Sequence, residues 1–264
     1  MKKLTLTEKF ERLETQTNGL YNRQGTKVPV VILADTSGSM NDENQNGKRK
    51  IDNLNEGIVE YFKNMLDDSS IQDHIDIAII EFGYNEVELS VDFAHLKDQR
   101  VPVFKAGGGT PMCEAITLGL DILEMQLEIY QSTGIPFHPP HLIIMTDGMP
   151  SQSGKYDANN VAIPLEKTDQ EFIRTKEVFD TFKEDYNLVS ITVGIGDKIH
   201  TPYFLEQFAS KPTNVLKLDD HNIVEFFKLL SRSTSILSRS LPSVGNVMEF
   251  EKVDSKGIVK AFNS

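Results

Sequence analysis

A run of apolar residues that ends abruptly in oxygen-bearing side chains is the feature that most constrains this chain. Val28–Ala34 is apolar throughout, and Asp35, Ser37 and Ser39 follow it at alternate positions. A short continuous apolar run is typical of a strand buried on both faces inside a parallel sheet. Open sheets of this kind bind their ligands beyond the carboxyl ends of the strands. The sequence therefore predicts a ligand site directly after this strand.

The side chains after the strand indicate which ligand this site prefers. Asp35, Ser37 and Ser39 offer three oxygens but only one negative charge, and Gly38 allows the backbone to curl so that they converge. Oxygen ligands suit hard cations. We therefore predict a site for Mg²⁺, with Mn²⁺ or Ca²⁺ as alternatives.

Two later stretches place further oxygens in turns. Gly107–Pro111 is a glycine loop that carries Thr110 in front of a predicted helix. Leu142–Gly148 is a second apolar run, and it ends in Asp147. Because the ends of neighbouring strands meet at one edge of a sheet, the three loops are expected to meet there. The predicted metal ligands are Asp35, Ser37, Ser39, Thr110 and Asp147.

The three motifs together resemble a known family. Asp-x-Ser-x-Ser, then a Gly-Gly-x-Thr-type loop, then a strand ending in Asp-Gly is similar to the metal-ion-dependent adhesion site of von Willebrand factor type A (vWA) domains. The residues at Asp35–Met40, Gly108–Met112 and Thr146–Pro150 most resemble the bacterial, free-standing TerY-like branch, which is associated with tellurite resistance. The likeness extends from about Val28 to the 230s.

The resemblance implies a function. It implies that the two serines, and in the ligand-ready state the threonine, contact the ion directly, while the two aspartates act through water. A glutamate or aspartate of a partner protein then completes the shell, and the closing helix at Asp219–Ser238 shifts as the metal loop rearranges. TerY-like proteins are associated with tellurite and stress-response operons that also encode protein kinases and phosphatases. A partner of that kind is therefore expected.

Strands that alternate with amphipathic helices predict a doubly wound three-layer α/β/α fold. The expected sheet has six strands and is mostly parallel, and the resemblance implies that Glu86–Val91 is an antiparallel edge strand. The polar stretches Asn41–Lys50 and Ser151–Thr168 are predicted to be loops beside the site.

The predicted domain organisation has one main unit. An N-terminal extension covers residues 1–26, the vWA domain covers 27–240, and a C-terminal tail covers 241–264. In the tail, Val247–Val253 is a candidate extra strand or docking arm.

Composition narrows the class of protein. The 264 residues carry a net charge of −12, which disfavours nucleic-acid binding because phosphate contacts need basic surface. No apolar run approaches the roughly 20 residues of a membrane span. Cys113 is the single cysteine, so no intramolecular disulfide forms, and a reducing compartment is favoured. We expect a soluble cytoplasmic protein that binds neither nucleic acid nor membranes.

Each motif also has a simpler interpretation. Thr110 alone could be a helix N-cap, and Asp147-Gly148 alone could be an ordinary turn. His138 and His141 have a His-x-x-His spacing, but two prolines lie between them, which disfavours a second metal site. Cys113 is interpreted as a small packing residue and not as a nucleophile. The three oxygen-bearing loops in this order are better explained by one metal site.

Catalysis is not expected. In Asp35-Thr36-Ser37-Gly38, Ser37 interrupts the Asp-Thr-Gly of aspartic proteases, and the chain has no second such motif to pair the carboxylates. Ser37 is also not in a Gly-x-Ser-x-Gly elbow. The main alternative is a metal-dependent hydrolase, such as a phosphoesterase, in which the same ion activates water, but no general base is evident beside the ligands. A structural scaffold with a vestigial site is the third hypothesis.

Overall fold

The computed structural model describes residues 25–43, 47–84, 86–196, 202–219, 222–240 and 260–261. The strands are β1 (Val28–Thr36), β2 (Ile75–Gly83), β3 (Glu86–Val91), β4 (His141–Thr146), β5 (Ser151–Tyr156), β6 (Ala162–Pro164), β7 (Val189–Ile195), β8 (Val215–Leu218) and β9 (Lys260–Ala261). The α-helices are α1 (Lys50–Leu66), α2 (Met112–Thr133), α3 (Gln170–Tyr186), α4 (Pro202–Gln207) and α5 (Ile223–Ser238).

The main sheet has the strand order β3-β2-β1-β4-β7-β8-β9. Strands β1, β2, β4, β7 and β8 pair in parallel, whereas β3 is antiparallel to β2 at one edge. The predicted mostly parallel six-stranded sheet with an antiparallel edge strand is therefore confirmed. At the other edge, the two-residue strand β9 adds an antiparallel pairing to β8.

Apolar side chains cover both faces of this sheet, which produces three layers. Along β1, Ile32 belongs to a cluster with residues of α1 and α5, whereas its neighbour Leu33 belongs to a second cluster with residues of α2 and α3. Successive side chains of a strand point to opposite faces, so a continuous apolar run is needed when both faces are covered. The predicted α/β/α layering follows from this pattern.

The order of the strands determines where a ligand site can form. Strand β1 lies between β2 on one side and β4 on the other, so the connections that leave these strands diverge. A crevice opens beyond the carboxyl ends at such a switch point. Asp35 lies near the end of β1, and Asp147 directly follows β4. The two acids therefore lie beside the same crevice.

The polar stretch Ser151–Thr168 was predicted to be a loop, and this is wrong in part. It contains the antiparallel hairpin β5–β6, whose pairs include Ser151 with Pro164 and Tyr156 with Ala162. The hairpin lacks the alternating apolar residues that usually indicate strands. Backbone hydrogen bonds outside the hairpin hold it, including one from the Leu165 N–H to the Pro150 carbonyl.

The segment Asn41–Lys50 was also predicted to be a loop, and the structure differs at both of its ends. A short 3₁₀ helix covers Gly38–Asn41, and Lys50 is the first residue of α1. The predicted extension 1–26, the tail 241–264 and the candidate strand Val247–Val253 lie wholly or mostly outside the described residues. Within the described part of the chain, no helix is long and apolar enough to cross a membrane.

Candidate metal centre

Backbone hydrogen bonds join the loop after β1 to the glycine loop. The Gly107 N–H donates to the Thr36 carbonyl at 2.8 Å, and the Gly38 N–H donates to the Gly108 carbonyl at 3.2 Å. Gly108 has a φ of +71°, and a Cβ at this position would lie 2.3 Å from the Gly83 carbonyl oxygen. Only glycine fits this close approach. The predicted meeting of the two loops therefore occurs, and a glycine at position 108 permits it.

Asp35 is buried at the base of the centre, and neutral donors satisfy its carboxylate. Its Oδ1 accepts a hydrogen bond from the Ser37 N–H at 2.7 Å, and its Oδ2 accepts one from the Thr146 hydroxyl. Burial, and then the negative charge of Asp147, raise the pKa of the Asp35 carboxyl above its usual range. A cation placed here would therefore relieve an unfavourable buried charge.

A chain of hydroxyl groups links the first loop to the third. The Oγ atoms of Ser37 and Ser39 are 3.1 Å apart, and the Ser39 hydroxyl donates to Asp147 Oδ1 at 2.6 Å. Asp147 is itself buried. Residues about 110 positions apart in the sequence thus share one hydrogen-bonded cluster.

Thr110 faces the same small space. A Cβ built on Gly148 would lie 3.3 Å from Ser39 Oγ and 3.8 Å from Thr110 Oγ1. Thr110 is held from behind by the hairpin, since its N–H donates to Ser151 Oγ and its carbonyl accepts from the Ser151 N–H. The N-cap residue of α2 is Pro111, so the simpler interpretation of Thr110 as the helix cap is not supported.

Sequence reasoning missed Lys50. Its ammonium donates to Asp147 Oδ2 at 2.7 Å, and the side chains of Lys50 and Asp147 are only 9% and 0% exposed. No local sequence motif predicts this contact, because it joins the start of a helix to a loop 97 residues later. A buried lysine requires a counter-charge, and here the counter-charge belongs to a predicted metal ligand.

The donor set fits a hard cation. It combines three hydroxyls with two carboxylates, and a positive charge from the protein is already paired with one carboxylate. Among the described residues no group of three or more His, Cys, Asp and Glu side chains could hold a metal ion, so the centre depends on its hydroxyls. Oxygen ligands of this kind suit Mg²⁺, Mn²⁺ or Ca²⁺ better than softer metals.

The hydroxyl cluster forms one side of an open groove of about 630 Å³. The opposite wall comes from the β5–β6 hairpin and from the segment that leads into it. Three large apolar side chains on this wall are exposed, namely Met149 at 42%, Tyr156 at 41% and Val161 at 59%. The groove therefore combines a polar side, formed by the hydroxyl cluster, with an apolar wall.

Cys113, His138 and His141, which the sequence also offered as candidates, do not belong to the candidate metal centre. Burial raises the pKa of the Cys113 thiol to about 12, which leaves it protonated and unreactive. His138 and His141 are both buried, and burial, followed by the nearby His138, lowers the pKa of His141 to about 3. These two histidines form a neutral buried pair at the start of β4.

Comparison with known proteins establishes the family. Residues 30–229 match the profile of the von Willebrand factor type A domain, so the chain belongs to this family. The pilus adhesin SpaC of Lactobacillus rhamnosus GG is similar in structure, with a TM-score of 0.56 and 14% identity over 80% of this chain. The aligned region spans 31% of SpaC.

A second solved structure is similar along almost its whole length. The vWF domain of the type V pili tip protein Mfa5 of Porphyromonas gingivalis has a TM-score of 0.51 and 12% identity, over 83% of this chain and 99% of that one. At such identities the likeness concerns the fold alone. A comparison with curated proteins gives no significant match. The vWA fold often mediates protein–protein interactions.

Proposed function

We propose that this chain is a metal-dependent protein-binding module. The observation that carries the proposal is the continuous cluster in which Ser37, Ser39 and Asp147 are hydrogen-bonded across the switch point of the sheet. The same cluster already pairs with a positive charge from Lys50. A divalent cation, with Mg²⁺ preferred to Mn²⁺ or Ca²⁺, would be held by Asp35, Ser37, Ser39, Thr110 and Asp147.

When bound, the cation offers an electrophilic coordination position to an anionic ligand. The chain's own residues leave this role to a glutamate or aspartate of a partner protein, because Thr110 and the serines add no charge. Tyr156 and Val161 on the groove wall would pack against apolar residues beside that acid. The partner therefore combines a carboxylate with flanking apolar side chains.

Binding is favoured over catalysis by the state of the two carboxylates. Both oxygens of Asp35 accept hydrogen bonds from the protein, and Asp147 is bonded to Ser39 and Lys50. A carboxylate oxygen that already accepts a hydrogen bond from the protein is a weaker proton acceptor for water, so neither acid is an evident general base. A metal-dependent hydrolase remains the alternative function.

The finer part of the proposal rests on the TerY-like resemblance. The proposed cytoplasmic location is supported separately by the single cysteine. The resemblance suggests a bacterial tellurite or stress-response system, with a kinase or phosphatase of the same operon as partner. It also makes α5 the element that shifts when the metal loop rearranges. A change in amide exchange confined to α5 on addition of Mg²⁺ would support this shift.

Titration calorimetry with MgCl₂ tests the metal site. We expect one site in the wild type and at least about tenfold weaker binding in Ser39→Ala, because this hydroxyl joins the two halves of the cluster. Ser70→Ala, at an exposed position whose hydroxyl bonds Asp68 and Arg239 outside the centre, is the matched control and should bind like the wild type. Absence of heat in the wild type would contradict the proposal and favour the scaffold hypothesis.

A second experiment tests the partner. The wild type and Ser39→Ala are used as baits with Mg²⁺ or with EDTA, and a true partner is retained only by the wild type with Mg²⁺. Mutation of one acid in that partner should then abolish retention. Mg²⁺-dependent hydrolysis of a phosphoester that disappears in Asp35→Ala would instead favour the hydrolase.

A further inference from the structure

The ammonium of Lys50 lies inside the candidate metal centre, where it pairs with the carboxylate of Asp147. Its distance to Asp147 Oδ2 is 2.7 Å, and the Asp147 side chain is fully buried. The other oxygen of the same carboxylate accepts the Ser39 hydroxyl. Both oxygens of Asp147 are therefore engaged within the protein, and the partner of one of them is a full positive charge.

A divalent cation and this ammonium would act on the same carboxylate. Two positive charges within a few ångströms repel each other strongly where water is largely excluded. The centre carries two negative charges from Asp35 and Asp147, and Lys50 cancels one of them. A bound divalent cation therefore gains less electrostatic energy while the ammonium stays where it is.

The structure also provides a second partner for the ammonium. Asp42 Oδ2 lies 4.0 Å from Lys50 Nζ, and the Asp42 side chain is 58% exposed. The backbone at this point is fixed, because the Lys50 N–H donates to the Asp42 carbonyl at 3.2 Å. A rotation of the flexible lysine side chain is enough to move its charge from buried Asp147 to exposed Asp42.

We infer that Lys50 is a built-in competitor of the metal, an internal cation that neutralises Asp147 and must move toward Asp42 when a divalent ion binds. This inference deepens the proposed function and depends on it. The lysine sets the threshold concentration for the metal, and it keeps two buried carboxylates from facing each other without a counter-charge. It is a determinant of metal affinity and does not itself bind the metal.

Replacement of Lys50 tests this directly. In titration calorimetry with MgCl₂, Lys50→Met should bind Mg²⁺ at least about tenfold more tightly than the wild type, because one opposing charge is gone. Lys48→Met is the matched control, because Lys48 lies in the same segment and pairs with exposed Glu56 outside the centre. It makes the same change in net charge, and its Mg²⁺ affinity should stay within about twofold of the wild type. With EDTA present, Lys50→Met should also melt at a lower temperature, and Mg²⁺ should restore its stability.

The outcomes separate this inference from the proposed function. Tight binding by Lys50→Met with no detectable binding by the wild type would contradict the proposed function, and Lys50 would then block the metal instead of setting a threshold for it. Equal or weaker binding by Lys50→Met than by a wild type that binds Mg²⁺ would overturn the competitor alone. Absence of binding in both proteins would overturn both.

A measurement on the wild type avoids any folding defect of the variant. Acetylation of individual lysines by an N-hydroxysuccinimide ester is followed by mass spectrometry, with EDTA or with saturating MgCl₂. Lys50 should react several-fold faster with Mg²⁺, because its side chain becomes accessible once it leaves the buried carboxylate, whereas exposed Lys48 should react equally under both conditions. An unchanged rate at Lys50 in a protein that binds Mg²⁺ would overturn the inference.

Discussion

The two carboxylates of the candidate centre are both buried, but they are stabilised in different ways. Asp35 is held by a backbone N–H and a threonine hydroxyl, which are neutral donors. Asp147 is held by the Ser39 hydroxyl and by the ammonium of Lys50. Burial raises the pKa of Asp35, and the charge of Asp147 raises it further.

This difference indicates different tasks. The hydrogen bonds of Asp35 come from Ser37, two residues later, and from Thr146 at the end of β4, so Asp35 shapes the first loop and links it to the neighbouring strand. Asp147 is paired with a charge that a cation can replace. Asp35 thus organises the centre, whereas Asp147 is the acid at which the metal replaces the ammonium of Lys50.

The largest expected effect on stability comes from breaking the ion pair between Asp147 and Lys50. Asp147→Asn removes the buried partner of the Lys50 ammonium and leaves it the exposed Asp42, 4.0 Å away, so we expect a loss of about 3 kcal/mol in the free energy of unfolding with EDTA present. The double variant Asp147→Asn/Lys50→Met should recover most of this loss, because the charge that lost its buried partner is gone. Urea unfolding measures both proteins, and additive losses in the double variant would show that the pair is not coupled.

Replacement of Asp35, the acid with neutral hydrogen-bond donors, should change the stability in the opposite direction. Asp35→Asn keeps an oxygen for the Ser37 N–H and removes a buried charge that Asp147 repels. At pH 8 with EDTA we expect the free energy of unfolding to rise by about 2 kcal/mol, while Mg²⁺ binding is lost. A clear fall in stability in urea unfolding would mean that Asp35 is stabilised by more than its neutral donors.

The opposite end of β4 adds a pH dependence that must be separated from the centre. Burial, followed by the nearby His138, lowers the pKa of His141 from 6.5 to about 3, so the unfolded chain takes up the proton more readily. The contribution of His141 to stability should therefore fall as the pH drops below about 6.5, by up to about 1.4 kcal/mol for each pH unit, whereas the raised pKa of Asp35 acts in the opposite direction. His141→Leu should remove this contribution, so that urea unfolding shows a smaller loss of stability at acidic pH than in the wild type.

The two serines provide the finest comparison. Ser39→Ala removes the hydrogen bond to Asp147, and we expect a loss of about 1 kcal/mol in the free energy of unfolding with EDTA. Ser37→Ala removes the contact to the Ser39 hydroxyl and a side-chain interaction with Asp35 but no hydrogen bond to Asp147, and should cost about half as much. Thermal unfolding of the two variants side by side checks the order, and a reversed order would assign the linking role to Ser37.

Much of the sheet could be predicted because local patterns report it. The apolar run at Val28–Ala34 can satisfy two covered faces only inside a parallel sheet, and β1 is buried along its whole length. The hairpin at Ser151–Pro164 could not be predicted in the same way. Its strands are polar, and Ser151 is anchored to Thr110, a contact between distant parts of the chain.

The candidate site, too, has a part that the sequence predicts and a part that only the tertiary structure decides. The sequence by itself determined that Asp35, Ser37, Ser39, Thr110 and Asp147 stand at strand ends and a helix start, because apolar runs and glycines punctuate the chain there. Only the tertiary structure decided that Thr146 would bond Asp35 and that Lys50 would reach Asp147. Those contacts depend on which strands are neighbours and on how α1 packs against the sheet. The spacing of residues does not predict these two contacts, because they form only when the apolar faces of distant segments are buried together.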